Sequence, residues 1–242
     1  VRDGLTFGAG NTVATVNFTN IENLYLQDSV GGASDKLAIP LSGSGTSGAI
    51  AGTSSADTIT LAGQSYTNST IWGQQGDDTL TGGSGGDSIY GGAGADTIRG
   101  NDGQDNIYGG PGADNIIFTD ESQYGANSAG NKHDIVHGFT TGSDKLKFSA
   151  ANFAGITSDT ETAKGTVSSD NKTLIVTNGV GWDGTVAAGH ENQRWLYNTD
   201  SGGLFFDQDG SGAEAQILVA VLLTGADSPI TDLAAADIVA IA

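Results

Sequence analysis

Residues 73–117 read GQQGDDTLTGGSGGDSIYGGAGADTIRGNDGQDNIYGGPGADNII, and this stretch decides the fold. Counted by nines, an aspartate recurs at Asp78, Asp87, Asp96, Asp105 and Asp114. Two residues after each comes an aliphatic: Leu80, Ile89, Ile98, Ile107 and Ile116. A fixed short period of this kind predicts a solenoid, in which each unit buries its apolar face only against its neighbours. Within one unit, Gly91, Gly92 and Gly94 permit a tight turn, Asp96 closes it, and Thr97-Ile98-Arg99 forms a very short strand with Ile98 facing inward. Two units make a coil of 18 residues. Asp78, Asp96 and Asp114 then line one edge of the stack, and Asp87 and Asp105 the other.

Coils stack at about 4.8 Å, the strand-pairing distance, and bare carboxylates at that spacing repel. The rest of the chain supplies little compensating charge. Its net charge is −19, and Arg99 is the only basic residue between Lys36 and Lys132. Such a balance excludes nucleic acid as an expected partner, because phosphate recognition needs clustered Lys and Arg. It calls instead for cations from solution. Calcium suits the turns: it takes six to eight oxygens, and glycine turns expose carbonyls beside the carboxylates. Magnesium demands tighter octahedral geometry, and zinc would want His or Cys, which the turns lack.

The chain has no cysteine, which excludes a disulfide scaffold, a thiolate metal site and a cysteine nucleophile. Its 39 glycines come with only 3 prolines and no three-residue period, so collagen is excluded too. No apolar run reaches the 18 residues of a transmembrane helix. No signal-peptide pattern follows Val1, and the chain reads as the tail end of something longer.

Outside residues 73–117 the signals are of strands. Residues 1–50 contain alternating runs such as TVATVNF, and "ENLYLQD" (22–28) fits a native strand. "GTSSADTIT" (52–60) is a degenerate unit with Asp57 and Ile59 in place. "QSYTNSTIW" (64–72) keeps only Ile71, and Leu61–Gly63 is an insertion between them. After Phe118 come "DIVHGF", "DKLKF", "KTLIVT", "RWLYN", "GLFFD" and "AQILVAVLL", separated by Gly, Asn and Asp turns. "SPITDLAAAD" reads as one short helical turn capped by Thr231. Tyr90 and Tyr108 lie 18 apart and should stack outside the coils as an aromatic ladder.

The units resemble the glycine- and aspartate-rich RTX nonapeptide, Gly-Gly-x-Gly-x-Asp-x-aliphatic-x, of bacterial proteins secreted by type I exporters. Units 82–90, 91–99 and 109–117 match fully, whereas Gln74 and Asn101 replace the second glycine in the other two. The resemblance implies an all-β chain built on a right-handed parallel β-roll, flanked by β-strand regions and closed by a β-rich C-terminal cap. It implies several Ca2+ ions, each held between a turn and the turn 18 residues later, and ligand counting sets their number at roughly four to seven. The upstream turn lends its second and fourth carbonyls and its aspartate; the downstream turn lends its first and third carbonyls and its aspartate. Carried over, one site joins Gln74, Gly76 and Asp78 to Gly91, Ala93 and Asp96. A second joins Gly83, Gly85 and Asp87 to Gly100, Asp102 and Asp105. A third joins Gly92, Gly94 and Asp96 to Gly109, Pro111 and Asp114. A weaker site would join Asp57 to the turn 73–78. The segment "HDIVHGFTTGSDKLKF" resembles the family's closing element, so that Asp134 and Asp144 would complete the sites begun by Asn101, Gly103 and Asp105 and by Gly110, Gly112 and Asp114.

The final residues, including "GGLFFDQDGSGAEAQILVAVLLTG" and "LAAADIVAIA", resemble the C-terminal segment recognised by type I exporters. From Trp195 to Ala242 there is no Lys or Arg. The expected organisation is a β-rich flank (1–50), the calcium roll (51–118), a roll-closing cap (119–190) and an export-signal region (191–242). The resemblance implies a secreted or cell-surface protein, non-catalytic within these residues, forming the tail of an adhesin or surface-layer protein. The alternative is the tail of a secreted protease, lipase or polysaccharide epimerase.

Several motifs imitate other chemistry. "GGSGG" (82–86) has the spacing of a nucleophile elbow, but Ser84 falls at the variable third position of a repeat. "GSGTSG" (43–48) has dinucleotide-site spacing without a strand–turn–helix context. His133 and His137 in "HDIVH" resemble a zinc-protease pair, yet they lie on a strand, and His190 reads as ordinary surface. Asp207 to Gly212 resembles the start of an EF-hand loop that lacks its closing Glu.

Overall fold

The structure, a computed structural model, describes residues 23–25, 38–40, 44–45, 48–62, 65–66, 68–119, 124, 132–153, 175–177, 195–208 and 216–241. The run TVATVNF, His190 and most of the Asp207–Gly212 loop lie outside these residues. The chain forms two compact units, Val1–Ile116 and Ile117–Ala242.

The first unit is a parallel β-roll. Its strands are β1 (Asn23–Tyr25), β2 (Ala38–Pro40), β3 (Ser44–Gly45), β4 (Gly48–Ala51), β5 (Thr58–Thr60), β6 (Ser65–Tyr66), β7 (Ser69–Gln75), β8 (Thr79–Thr81), β9 (Ser88–Ala93), β10 (Thr97–Arg99), β11 (Asn106–Tyr108) and β12 (Asn115–Phe118). Strands β1, β4, β7, β9 and β11 pair in parallel as one sheet, and β2, β5, β8, β10 and β12 as the other. Consecutive strands in the chain thus alternate between sheets through the repeat. β3 and β6 form a separate parallel pair.

The register shows why. Thr79 pairs with Thr97 and Thr97 with Asn115, while Ser88 pairs with Asn106, each 18 residues on. Upstream the step lengthens to 21, for Gly48 with Ser69 and for Thr58 with Thr79. The three extra residues are the insertion at 61–63. β2 and β1 extend both sheets further with longer steps, Ala38 to Thr58 and Asn23 to Ala49. Part of residues 1–50 therefore continues the solenoid.

The core is a double column of aliphatics. Ile50, Ile71, Ile89 and Ile107 point inward from one sheet, and Ile59, Leu80, Ile98 and Ile116 from the other; all are buried. Each strand has one such residue flanked by more exposed ones, as a period of two requires. Each fully buried Ile or Leu contributes about 1.5–3 kcal/mol. On the outer face, Trp72 stacks on Tyr90 at 6.1 Å and Tyr90 on Tyr108 at 4.5 Å, which extends the expected tyrosine pair by one ring.

The second unit holds β13 (Asp134–His137), β14 (Lys145–Ser149), β15 (Ile175–Thr177), β16 (Trp195–Asn198), β17 (Gly203–Phe206), β18 (Ile217–Leu222) and β19 (Ile238–Ile241). β13 pairs parallel to β18, which runs antiparallel to β17; β17 is antiparallel to β16, and β16 parallel to β15. β14 pairs parallel to β19. An aromatic core replaces the aliphatic column: Phe148 lies 4.8 Å from Phe118 and 4.1 Å from Trp195, and Phe153 lies 5.2 Å from Phe206. Buried Tyr197 donates its hydroxyl to the Ile230 carbonyl at 2.8 Å, and burial pushes that phenol up.

The short helical turn before β19 exists, but as a 3₁₀ turn over Ala235–Asp237 that Thr231 does not cap. Asp237 organises it instead. Its carboxylate is buried and accepts the Ala234 N–H at 3.1 Å, the Gly142 N–H at 3.0 Å and the Lys145 ammonium at 2.8 Å. No helix among the described residues is long and apolar enough to cross a membrane.

Candidate metal centre

The turns of the roll are built around their aspartates. Asp57, Asp78, Asp87, Asp96, Asp105 and Asp114 are all buried, despite their charge. Each is tied to the next coil by the same hydrogen bond. The Asp57 N–H donates to Asp78 Oδ1 at 2.7 Å, the Asp78 N–H to Asp96 Oδ1 at 2.8 Å, and the Asp96 N–H to Asp114 Oδ1 at 2.9 Å. On the other edge the Ser69 N–H donates to Asp87 Oδ1 and the Asp87 N–H to Asp105 Oδ1, both at 2.7 Å. One carboxylate oxygen per turn therefore belongs to the scaffold.

The second oxygen is what remains for a ligand. Oδ2 of Asp78 and Oδ2 of Asp96 are buried and have no hydrogen-bond partner. Burying an unpaired carboxylate oxygen is costly. Burial accordingly pushes Asp78 up to about 7, with Asp96, Asp57 and Asp77 adding repulsion against the Asp57 N–H. Burial raises Asp96 as well, with a further push from Asp77. Asp87 rises for the same reason, opposed by N–H donors from Gly83 and Ser69.

The backbone brings carbonyls to the same gaps. A methyl group at Gly92 or Gly94 would collide with the carbonyl oxygens of Gln74 and Gly76, so these face the downstream turn. A methyl at Gly73 would collide with Asp78 Oδ2 and the Gly91 carbonyl, and the Ala93 carbonyl accepts the Gly76 N–H at 2.9 Å. Gln74, Gly76, Gly91 and Ala93 thus all direct carbonyls into the space between turns 73–78 and 91–96, beside two unpartnered carboxylate oxygens. The next gap repeats the pattern, because the carbonyls of Gly92 and Gly94 abut Gly110 and Gly112, while those of Gly109 and Pro111 accept the N–H groups of Gly92 and Gly94. Such an all-oxygen donor set with net negative charge fits calcium.

On the other edge, the carbonyl of Gly85 abuts Gly103, and the Gly83 N–H donates to Asp87 Oδ2 at 2.7 Å. Asp102 is exposed at the variable position of its turn, and the backbone at Gly100 lies against the Asp105 carboxylate. The substitutions for glycine adopt the glycine conformation: Gln74 has φ 89° and Asn101 φ 72°. The Asn101 side chain also donates to the Gly82 carbonyl at 2.7 Å. Asp134 and Asp144 belong to the second unit. Both are buried; Asp134 accepts the Tyr124 hydroxyl at 3.2 Å, and Asp144 closes its own loop through the Thr140 N–H at 2.8 Å.

Some residues of the site escaped the sequence pattern. Thr53 donates both its N–H, at 2.6 Å, and its hydroxyl, at 2.9 Å, to Asp57 Oδ2. Ser69 occupies the aspartate position at the start of the second edge. Gly73 and Gly82 are needed because a side chain at either would collide with the turn's own aspartate. The signal for Gly73 and Gly82 lies in the first position of every unit. The imitating motifs resolve as repeat or strand. Ser84 is exposed in its turn, and His137 Nδ1 bonds Asp227 Oδ1 at 2.8 Å.

No curated protein matches the chain. A family model does: the RTX calcium-binding nonapeptide repeat (4 copies), over residues 66–89 and 81–116. That repeat is a non-catalytic calcium-binding element associated with type I secretion. The aspartate ladder, the carbonyl-lined gaps and this match agree that residues 66–116 are an RTX repeat region, which binds calcium and marks a secreted protein.

Proposed function

We propose that the chain is a calcium-dependent folding and secretion module at the C-terminal end of a bacterial adhesin or surface-layer protein. The observation that carries this is the pair of buried, unpartnered Oδ2 atoms on Asp78 and Asp96, facing a gap already lined by four carbonyls. In this reading Gln74, Gly76 and Asp78 with Gly91, Ala93 and Asp96 hold one ion. Gly83, Gly85 and Asp87 with Gly100, Asp102 and Asp105 hold a second, and Gly92, Gly94 and Asp96 with Gly109, Pro111 and Asp114 a third. Bound calcium supplies the positive charge that the chain's own residues lack. The residues supply the rest: Oδ1 of each aspartate sets the register, glycines let carbonyls converge, and the aliphatic column aligns the strands.

Where calcium is scarce, buried like charges oppose stacking and the chain can thread an exporter. Outside the cell, sites of extracellular affinity, about 10⁻⁴ to 10⁻³ M, fill at millimolar calcium, and their binding free energy becomes folding free energy. Residues 191–242 serve as the exporter signal in this reading. Equilibrium dialysis of the chain against calcium tests the binding half: several ions per chain at millimolar calcium are expected, and none would refute it. Co-expression with a type I exporter tests the other half, because removal of 191–242 should abolish export.

A further inference from the structure

Turn 73–78 carries an acid that the other turns lack. Its fifth position is Asp77, where the following units have Gly86, Ala95, Gln104 and Ala113. Asp77 is exposed, yet its Oδ1 accepts the N–H of Ala95 at 2.8 Å. The side chain therefore leans onto the turn 18 residues downstream. A methyl group at Gly94 would come within 3.1 Å of the same oxygen. Asp77 adjoins Asp78 in sequence and Ala95 adjoins Asp96, so a third carboxylate is fixed beside the gap that Asp78 and Asp96 line. That gap is a site in its own right, because Oδ2 of both acids is buried without a partner.

We propose that Asp77 makes the Asp78–Asp96 gap the tightest calcium position of the roll, and the one that fills first. The proposal rests on the calcium reading above. Asp77 gives no oxygen to the ion; it acts through charge, as a positioning and affinity-setting residue. The other gaps have two acids each and no equivalent of Asp77. An extra unit charge near a divalent ion, half-screened by solvent, should tighten binding roughly three- to ten-fold. A roll that fills first at one end of its strongest repeats would order from the Trp72 coil toward Asn115.

The test is calorimetric calcium titration of the whole chain at low and high salt. Asp77→Asn should weaken the tightest step roughly three- to ten-fold at low salt and by less at high salt. Asp77→Ala should match it, because charge and not the Ala95 hydrogen bond is responsible. Asp200→Asn, an exposed acid in the second unit, should leave the tightest step unchanged. Adding Ala95→Asp to Asp77→Asn should restore a tight step, now between Asp96 and Asp114. A wild-type tightest step in Asp77→Asn, weakening by Asp77→Ala alone, equal weakening by Asp200→Asn, or no restoration by Ala95→Asp would each overturn the proposal. Wild-type protein that takes up no calcium would instead bring down the calcium reading itself.

Discussion

The backbone N–H of Asp78 donates to Oδ1 of Asp96 at 2.8 Å, and the N–H of Asp96 donates to Oδ1 of Asp114 at 2.9 Å. Asp96 thus sits in the middle of three coils. Its carbonyl also accepts the Asn115 N–H at 2.7 Å. Loss of its side chain removes one acceptor and one carboxylate that two gaps share. Asp78 also adjoins two gaps, but at the upstream one the Thr53 donors already occupy Asp57 Oδ2. Asp96→Ala should therefore raise the calcium midpoint of folding more than Asp78→Ala. Circular dichroism during calcium titration measures both, and equal midpoints would contradict the stacking register.

Protons should partly replace calcium. In the metal-free roll Asp78 is raised to about 7, mainly by burial, so the folded state binds its proton more tightly than the unfolded chain does. A raised carboxyl contributes stability at low pH and loses it as pH rises through about 7. In chelator, lowering the pH from about 8 to about 5 should increase β structure and melting temperature. In calcium the sign reverses, because the same proton competes with the ion, and the calcium midpoint should rise over that range. Thermal melts at both pH values, with and without chelator, check the two directions together.

The first-position glycines should tolerate no side chain. A methyl group at Gly91 would strike both Asp96 Oδ2 and the Gly109 carbonyl, neither of which is the end of a long flexible chain. Gly91→Ala should lower stability in calcium by about 2 kcal/mol or more and remove at least one bound ion. Ser84→Ala, in an exposed turn position, should change stability by less than about 0.5 kcal/mol.

Gln74 offers the opposite effect. Its φ of 89° is glycine territory, which costs an L-residue about 1–2 kcal/mol. Part of that gain returns as extra freedom of glycine in the unfolded chain. Gln74→Gly should stabilise the calcium-loaded roll by about 0.5–1 kcal/mol, measured by denaturant unfolding at saturating calcium.

Much of this was legible because the repeat carries its own register. The period in aspartate and the aliphatic two residues on place Leu80 opposite Ile98 and Ile98 opposite Ile116, which is the pairing found. The insertion at 61–63 predicts the 21-residue step at Thr58 and Thr79. The Trp72–Tyr90–Tyr108 ladder was legible only in part, because Trp72 belongs to a unit that has lost its aspartate. Asp77 and Thr53 were not legible. Both occupy variable or degenerate positions, and their roles depend on contacts across a turn or gap rather than on periodicity. The second unit resists such reading for a similar reason. Its strands pair in mixed order, β18 with both β13 and β17, through contacts far apart in sequence.

The most direct test compares the β structure and melting temperature of the whole chain in chelator and in millimolar calcium, by circular dichroism at neutral pH. Buried Asp78 and Asp96 with unpartnered oxygens require that calcium raise both sharply, with the roll largely unfolded in its absence. The same spectrum and the same melting temperature in the two conditions would contradict the account.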